Sequence, residues 1–376
     1  IGCFKLKFAD IKEKKAVPRW ANIYGPPLSA SGTHADLMTL FGQEQGSHYR
    51  GRVLFQATSQ FNIDPKTIKE ELKFKFPENP QPVSTQRSYV LRVDVMEGHE
   101  LPERKFGIVH VSMGPYCIKT APQSIDNGRV MWYDSIDDKR VTFPVSPDEI
   151  PDVIFYFADE NEEYRRHSFA RIKASDIFVS EENIATFKAK PRVVKLKEDR
   201  SLDLVTDDEF HGFLFVKVHL FAGQPPPRVK VSQGEIKYVD YQLRVHLYVG
   251  RNIPPADETG TSDPFVLVRS SGQVTQSSIC YTTINPGWYE TLKLNVSLPE
   301  FKEDGVPSGM SLVVYDDDDG KRDLIGRSWV EFKPYFHYFK LTTGEHMGDI
   351  FEIIFGKPKW LNILYDATGD ICGKIL

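Results

Sequence analysis

The sequence predicts an all-β protein built from antiparallel β-sandwiches. Apolar and polar residues alternate along several runs, among them 91–95, 243–249 and 312–314, and this period of two places the apolar side chains on one face of a strand. The chain also contains 25 Pro and 26 Gly, which leave little room for long helices and separate short strands. One segment, 64–72, predicts a short helix, with Asp64 as its N-cap and a proline in the first turn.

An internal repeat predicts three related domains. A strand-like run with an acidic-aliphatic end begins at residues 1, 167 and 325, so the copies start about 160 residues apart, which is the size of a domain. Each run is followed by a second strand-like element and then by a strand that begins with glycine. The second elements are 18–24, 191–196 and 358–363, and the three glycines are Gly51, Gly212 and Gly373.

The repeat sets the predicted domain boundaries. Residues 1–60 are interpreted as the last strands of a preceding sandwich, 87–221 as a second sandwich and 238–376 as a third. Between them lie two linkers, 61–86 with the short helix, and 222–237, in which three consecutive prolines predict a stiff spacer. Because the chain begins in the middle of a repeat, we expect it to be part of a longer protein.

Composition argues against several classes of function. The net charge of −5 and the isoelectric point of about 6.1 do not favour nucleic acid as a partner. The four cysteines are far apart and without paired histidines, so we expect free thiols and neither a disulfide framework nor a zinc site. No run approaches the roughly 18–20 uncharged apolar residues that cross a bilayer. Motifs of hydrolases, metalloproteases and nucleotide-binding loops are missing, so we expect no enzyme and no small-molecule substrate.

Five aspartates on two loops predict a calcium site. Asp257 and Asp263 bracket a loop between two predicted strands, and Asp316, Asp318 and Asp323 follow a third strand. Residues two apart on an extended strand point the same way, and Ca²⁺ takes 6–8 oxygen ligands without demanding rigid geometry. The run 316–319 alone is more typical of a solvated loop. The second acidic pair favours the metal site, because so many carboxylates held together without a cation would repel one another.

Three segments together resemble a C2 domain, a calcium- and phospholipid-binding β-sandwich. They are 241–268, 285–290 and 312–326. The tripeptide that begins at Asp263 is similar to the family's Asp-Pro-Tyr signature, and Asn285-Pro286 with Trp288 is similar to its Asn-Pro-x-Trp turn. The resemblance implies tandem eight-stranded antiparallel sandwiches, Ca²⁺ as cofactor, and all five aspartates on the family's acidic calcium positions.

The second repeat resembles the same fold without the metal site. Counting ten residues back from Ser168 places Ala158, Glu160 and Arg165 where the last three aspartates stand in the third repeat. We therefore expect no calcium in this sandwich. In the third repeat the tips of the two acidic loops, 258–261 and 319–322, are polar, which predicts electrostatic, salt-sensitive contact with lipid and no deep insertion.

The N-terminal part resembles the ferlin family. The segments 20–27 and 49–54, with the sequences WANIYGPP and YRGRVL, are similar to the close of a ferlin C2 domain. Ferlins are large, membrane-anchored proteins with many C2 domains that serve vesicle fusion and membrane repair. The resemblance implies calcium-dependent binding to anionic phospholipid at the cytoplasmic face of membranes or vesicles, in trafficking, fusion or exocytosis, with trafficking or fusion proteins as partners. The alternative is a non-enzymatic interaction scaffold in which calcium is structural or absent.

Overall fold

The computed structural model describes residues 19–25, 46–55, 57, 85–101, 105–159, 166–198, 210–299, 309–318, 321–332, 360–364 and 371–376. Regular structure in these ranges is almost entirely β-strand, apart from short 3₁₀ turns at Pro147–Glu149, Ala174–Asp176 and Glu181–Thr186. The prediction of an all-β fold is thereby confirmed. The predicted helix at 64–72 lies outside the described residues. No helix in the described part of the chain has the length and apolar character that a membrane span requires.

Within the described ranges, twenty strands form three sheets. The first sheet pairs β1 (Arg19–Gly25) with β2 (His48–Phe55). The second contains β3 (Gln86–His99), β4 (Phe106–Met113), β5 (Tyr116–Lys119), β6 (Gln123–Ser124), β7 (Val130–Pro144), β8 (Val153–Asp159), β9 (Arg166–Ile172), β10 (Phe178–Val179), β11 (Arg192–Glu198) and β12 (Phe210–Phe221). The third contains β13 (Tyr238–Arg251), β14 (Pro264–Ser270), β15 (Gln273–Gln276), β16 (Gly287–Pro299), β17 (Gly309–Asp318), β18 (Lys321–Glu331), β19 (Leu361–Leu364) and β20 (Ile371–Ile375).

The second and third sheets have the same strand order. The path β5-β4-β8-β9-β11-β12-β3-β7 in the second corresponds, strand for strand, to β15-β14-β17-β18-β19-β20-β13-β16 in the third. Alternate residues of each sheet point inward to a separate core. Val109 and Phe155 lie in the first of these cores, and Val266 and Leu312 lie in the second. A shared strand order is what the internal repeat predicts. The boundaries assigned to the domains from the sequence stay predictions.

The repeated glycines stand at β-bulges. Ile23 pairs with Gly51 directly before a shift in register between β1 and β2, and Ile363 pairs with Gly373 directly before the same shift between β19 and β20. The third glycine, Gly212, lies where the register of β11 and β12 shifts. Gly51 and Gly212 have φ of 123° and 87°, a conformation that residues with a Cβ atom rarely adopt.

The segment 222–237, called here the linker segment, packs along the second sandwich. Arg92 donates to the carbonyl oxygen of Pro226 at 2.9 Å, and Arg228 donates to the carbonyl oxygen of Val93 at 2.9 Å. Arg228 also forms an ion pair with the buried Asp94 at 3.2 Å. The segment therefore packs against the second sandwich, because planar guanidinium groups satisfy buried acceptors that no local sequence pattern marks. Its role as a stiff spacer between domains stays a prediction.

The linker segment ends in contacts that join the second and third sandwiches. The hydroxyl of Tyr238, the first residue of β13, donates to Glu97 of β3 at 2.6 Å. At the end of β3, the carboxylate of Glu100 accepts a hydrogen bond from the amide of Ser271 at 2.7 Å and lies 3.5 Å from the guanidinium of Arg269. Glu100 and Ser271 are both buried, so the two sandwiches share a dry, polar contact.

Candidate metal centre

Three of the five predicted aspartates converge at one end of the third sandwich. One carboxylate oxygen from each of Asp257, Asp316 and Asp318 lies within 4.8 Å of the other two. We call these three residues the acidic cluster. Asp316 and Asp318 are near the end of β17, and Asp257 is on the loop between β13 and β14. Their convergence follows from the topology, because β14 and β17 are neighbours and run antiparallel.

Asp316 occupies the innermost position of the acidic cluster. It pairs with Pro264 of β14 and with Asp323 of β18, and it is only 1% exposed. One carboxylate oxygen, Oδ1, accepts a hydrogen bond from the amide of Asp263. The other, Oδ2, is buried and has no hydrogen-bond partner. A buried carboxylate oxygen without a partner costs free energy, and a cation beside the other two carboxylates is the group that would satisfy it. The residues therefore fit a hard divalent ion such as Ca²⁺.

The loop that carries Asp257 is held by its own hydrogen bonds. The Ser262 hydroxyl donates to the carbonyl oxygen of Pro254 and accepts from the amide of Ala256, both at 2.9 Å. The amide of Asp257 donates to the carbonyl oxygen of Thr261 at 3.0 Å. Because Ser262 is fully buried, these bonds close the loop from within, and the Asp257 carboxylate is left to point toward β17.

The remaining two predicted ligands adjoin the acidic cluster without being part of it. Asp263 lies beside Asp316, and its Oδ1 accepts a hydrogen bond from the amide of Thr282 at 2.6 Å. Asp323 lies across the ladder from Asp316, and its carboxylate is 3.2 Å from the ammonium group of Lys321. The structure thus places all five aspartates at the same end of the sandwich. Their assignment as metal ligands stays a prediction.

The electrostatics of the acidic cluster show crowding of negative charge. Burial and the neighbouring charges of Asp257, Asp318 and Asp263 raise the pKa of Asp316, against the hydrogen bond from the Asp263 amide. Desolvation and the charges of Asp323 and Asp257 raise the pKa of Asp318. These carboxyls are harder to ionise together than apart, which is the condition that a bound cation relieves.

A third loop belongs to this end of the sandwich, and sequence reasoning identified its Asn285-Pro286 turn but not its place beside the acidic loops. Residues 277–286 connect β15 to β16 and lie against the loop that carries Asp257. The amide of Thr283 donates to the carbonyl oxygen of Ser262 at 2.8 Å. The amide of Ile253 donates to the carbonyl oxygen of Ile284 at 3.0 Å. The loop contains no carboxylate, so a search for metal ligands passes over it. No residue type in it marks its place, and its exposed Tyr281 is located only by the structure.

Strand pairing corrects the position-by-position comparison with the second sandwich. In the second sandwich Phe157 pairs with Ser168, and in the third Val314 pairs with Gly326, so Phe157 corresponds to Val314. Asp159 is two residues after Phe157 and therefore corresponds to Asp316. Counting along the sequence had placed Ala158 there, which is wrong by one residue because the β8–β9 hairpin is one residue shorter than β17–β18. Among the described residues, the acidic cluster of the third sandwich is the one group with metal-binding geometry. Glu160 and Arg165 lie outside the described residues.

Comparisons with known proteins agree with this geometry in the third sandwich. A family model described as "C2 domain" matches residues 241–350. The chain is 34% identical over 91 residues, 24% of its length, to mouse "Multiple C2 and transmembrane domain-containing protein 2". It is 28% identical over 254 residues, 66% of its length, to human "RasGAP-activating-like protein 1", and 28% identical over 114 residues, 30% of its length, to mouse "Fer-1-like protein 4". The chain spans 10%, 27% and 5% of the length of these three relatives.

Proposed function

We propose that the third sandwich binds calcium and, when loaded, binds anionic phospholipid membranes, within a ferlin-like protein of membrane trafficking or fusion. The observation that carries this proposal is the acidic cluster, in which three carboxylates converge and the buried Oδ2 of Asp316 has no hydrogen-bond partner. The match of residues 241–350 to the C2 domain supports it independently.

The acidic cluster would hold the ion, and Asp263 and Asp323 would supply further oxygens. Bound calcium would neutralise these carboxylates and accept headgroup oxygens as its remaining ligands. The protein's own part is to keep the carboxylates together on a stiff pair of strands before any ion arrives. Lys321 and Arg322, both exposed in the β17–β18 hairpin, lie where they can meet anionic headgroups. Such a switch is electrostatic and needs little movement of the backbone.

The setting of this activity is also a proposal. The partial likeness to a Fer-1-like protein and to a protein with multiple C2 and transmembrane domains supports a peripheral position at the cytoplasmic face of membranes or vesicles. The expected partners are anionic phospholipid and proteins of trafficking or fusion. We also propose that these sandwiches are not themselves enzymatic and bind neither nucleic acid nor a small-molecule substrate.

A second candidate function is a rigid, non-enzymatic interaction scaffold. The buried contact of Glu100 with Arg269 and Ser271, together with the packed linker segment, favours it, because these contacts hold two sandwiches in one fixed arrangement. In this function calcium would be structural or absent. The two candidates differ in one measurable property, which is the dependence of lipid binding on calcium.

The first experiment is a calorimetric calcium titration of the whole chain, followed by sedimentation with anionic liposomes. The variant is Asp316→Asn/Asp318→Asn, and the matched control is Asp240→Asn, at the opposite end of β13. Saturable binding and calcium-dependent sedimentation that the double variant loses and the control keeps would support the proposal. Calcium binding without sedimentation would favour the scaffold. No binding at about millimolar calcium, the weak end of the usual range, would refute the calcium-dependent function.

A further inference from the structure

Three tyrosines expose much of their rings at the metal end of the third sandwich. Tyr281 is 69% exposed, Tyr289 is 73% exposed and Tyr248 is 37% exposed. We call these three residues the aromatic edge. Scattered apolar residues on a surface need no explanation, but large aromatic rings gathered at one end of a domain are typical of an interaction surface.

Backbone hydrogen bonds tie Tyr281 to the acidic loops. On one side of it, the amide of Cys280 donates to the carbonyl oxygen of Pro264 at 3.1 Å. On the other side, the amide of Thr282 donates to the Asp263 carboxylate at 2.6 Å. The residues flanking Tyr281 are therefore fixed to the strand that begins beside the acidic cluster, and the ring between them projects into solvent.

Tyr289 and Tyr248 form a pair on the adjoining strands β16 and β13. Their ring centroids are 6.4 Å apart and nearly perpendicular, a favourable edge-to-face arrangement. The amide of Gly250 donates to the carbonyl oxygen of Pro286 at 2.8 Å, which fixes the pair at the loop end of the strands. Tyr289 has φ of 49°, a left-handed conformation that is unfavourable for an aromatic residue. Tyr289 stands where the register of β13 and β16 shifts, so a β-bulge sets the direction of its ring.

Two exposed cations lie close to Tyr248 in the aromatic edge. Arg251, at the end of β13, pairs with Lys374 of β20, and both side chains are exposed. The amide of Tyr248 donates to the carbonyl oxygen of Leu376, two residues after Lys374, at 2.9 Å. Rings with an apolar body and a polar hydroxyl, next to exposed cations, match the boundary between lipid headgroups and acyl chains.

We infer that the aromatic edge is a lipid-contacting surface, whose phenol rings enter the headgroup layer of an anionic membrane beside Arg251 and Lys374. This inference rests on the proposed function and adds a second, apolar source of membrane affinity to it. The sequence predicted contact by electrostatics alone, because the tips of the two acidic loops are polar. The third loop and its neighbouring strands supply the apolar contact that those tips lack. Binding should therefore retain a component that salt does not screen.

The test uses the whole chain, saturating calcium and vesicles of phosphatidylcholine with about 30% phosphatidylserine, whose anionic surface attracts basic residues. The variant is Tyr281→Ser/Tyr289→Ser, and the matched control is Val229→Ser, since Val229 is 84% exposed in the linker segment. From the apolar area that two rings would bury, we expect vesicle affinity to fall about tenfold and the difference to persist in about 0.5 M salt. Calorimetric calcium binding should not change. Tyr281→Trp, which keeps an amphipathic ring, should bind as the wild type does.

Each other outcome identifies what has failed. If wild type sediments with calcium and the double serine variant binds equally well, the inference is wrong and the proposed function stands. If wild type does not sediment at saturating calcium, both are refuted. If the variant instead changes the mass of the free protein in light scattering and leaves vesicle binding intact, the aromatic edge contacts a second copy of the chain, and the lipid assignment is refuted.

Discussion

Glu100 allows the contact between the two sandwiches to be tested by pH. It is buried at the end of β3, where its carboxylate meets the amide of Ser271 and the guanidinium of Arg269. Burial raises its pKa from 4.5 to about 7, and the nearby Arg269 only partly opposes this. The perturbation is Glu100→Gln, which keeps the shape and most of the hydrogen bonding and removes the titration.

The sign and size of the effect follow from this pKa. Between about pH 4.5 and pH 7 the folded protein holds a proton on Glu100 that the unfolded chain has lost, so the free energy of unfolding falls as pH rises through this range. A pKa raised by about 2.5 units corresponds to about 3 kcal/mol over the whole window. The stabilisation is complete below pH 4.5 and is lost as pH passes 7. The Gln variant should lack this loss.

The assay is urea unfolding of the whole chain at pH 5 and at pH 8. We expect the free energy of unfolding of wild type, relative to that of Glu100→Gln, to fall by about 2.5 kcal/mol between the two pH values, because part of the effect is already lost at pH 5. The exposed Glu182→Gln serves as the control and should follow wild type at both. If wild type and Glu100→Gln show the same pH dependence, Glu100 is ionised throughout, and the account of a dry contact between the sandwiches is wrong.

Three further predictions test the second sandwich. Burial would raise the pKa of Glu97, but hydrogen bonds from His99, Tyr133 and Tyr238 outweigh it and lower this pKa to about 2. In acid titrations followed by circular dichroism, wild type should therefore lose up to about 3 kcal/mol of stability as pH falls from 4.5 to 2. The Glu97→Gln variant should not show this loss. At Gly212, φ is 87° and an added Cβ would lie 2.6 Å from a backbone oxygen, whereas at Gly234, with φ of 98°, no atom lies within 4 Å. In urea unfolding, Gly234→Ala should cost about 1 kcal/mol and Gly212→Ala about 1–3 kcal/mol more; equal costs would contradict the close approach. Arg228→Met leaves the Asp94 carboxylate buried without its ion pair and should cost about 3–5 kcal/mol in the same assay, whereas a loss under 1 kcal/mol would show that the linker segment is not held there.

The sequence predicted the parts of the structure that depend on local periodicity and on order along the chain. Alternation along 243–249 gives β13, and the three-fold repeat anticipates the shared strand order of the second and third sheets. The site was predictable in part for the same reason. Asp257 lies on the loop that precedes β14, and Asp316 lies near the end of β17. Because β14 and β17 pair antiparallel, the convergence of these two residues needs only the topology.

What the sequence did not predict depends on distance in the chain or on a single residue of register. Arg228 contacts β3 across more than a hundred positions, and no local pattern marks its partners. The shift that aligns Asp159 with Asp316 arises from a difference of one residue in hairpin length, which counting cannot detect. Tyr281 carries no metal-ligand chemistry, so only the packing of its loop against Ser262 and Asp263 reveals where it stands.

The packed linker segment also determines how the protein would respond to mechanical tension. The chain enters the second sandwich through β3 and leaves it through the neighbouring β12, whose last residue, Phe221, pairs with Val90 near the start of β3. Pulling on two antiparallel neighbours from the same end would separate them one hydrogen bond at a time. The linker segment instead runs back along β3 from Pro226 to Tyr238, so a pull from the third sandwich first loads its side-chain contacts. Released, these dozen or so residues reach at most roughly 40 Å when extended, so the chain would lengthen by the difference between that reach and their present span along β3, while both sandwiches stay folded. The segment would thus act as an extensible element that gives way before the domains do.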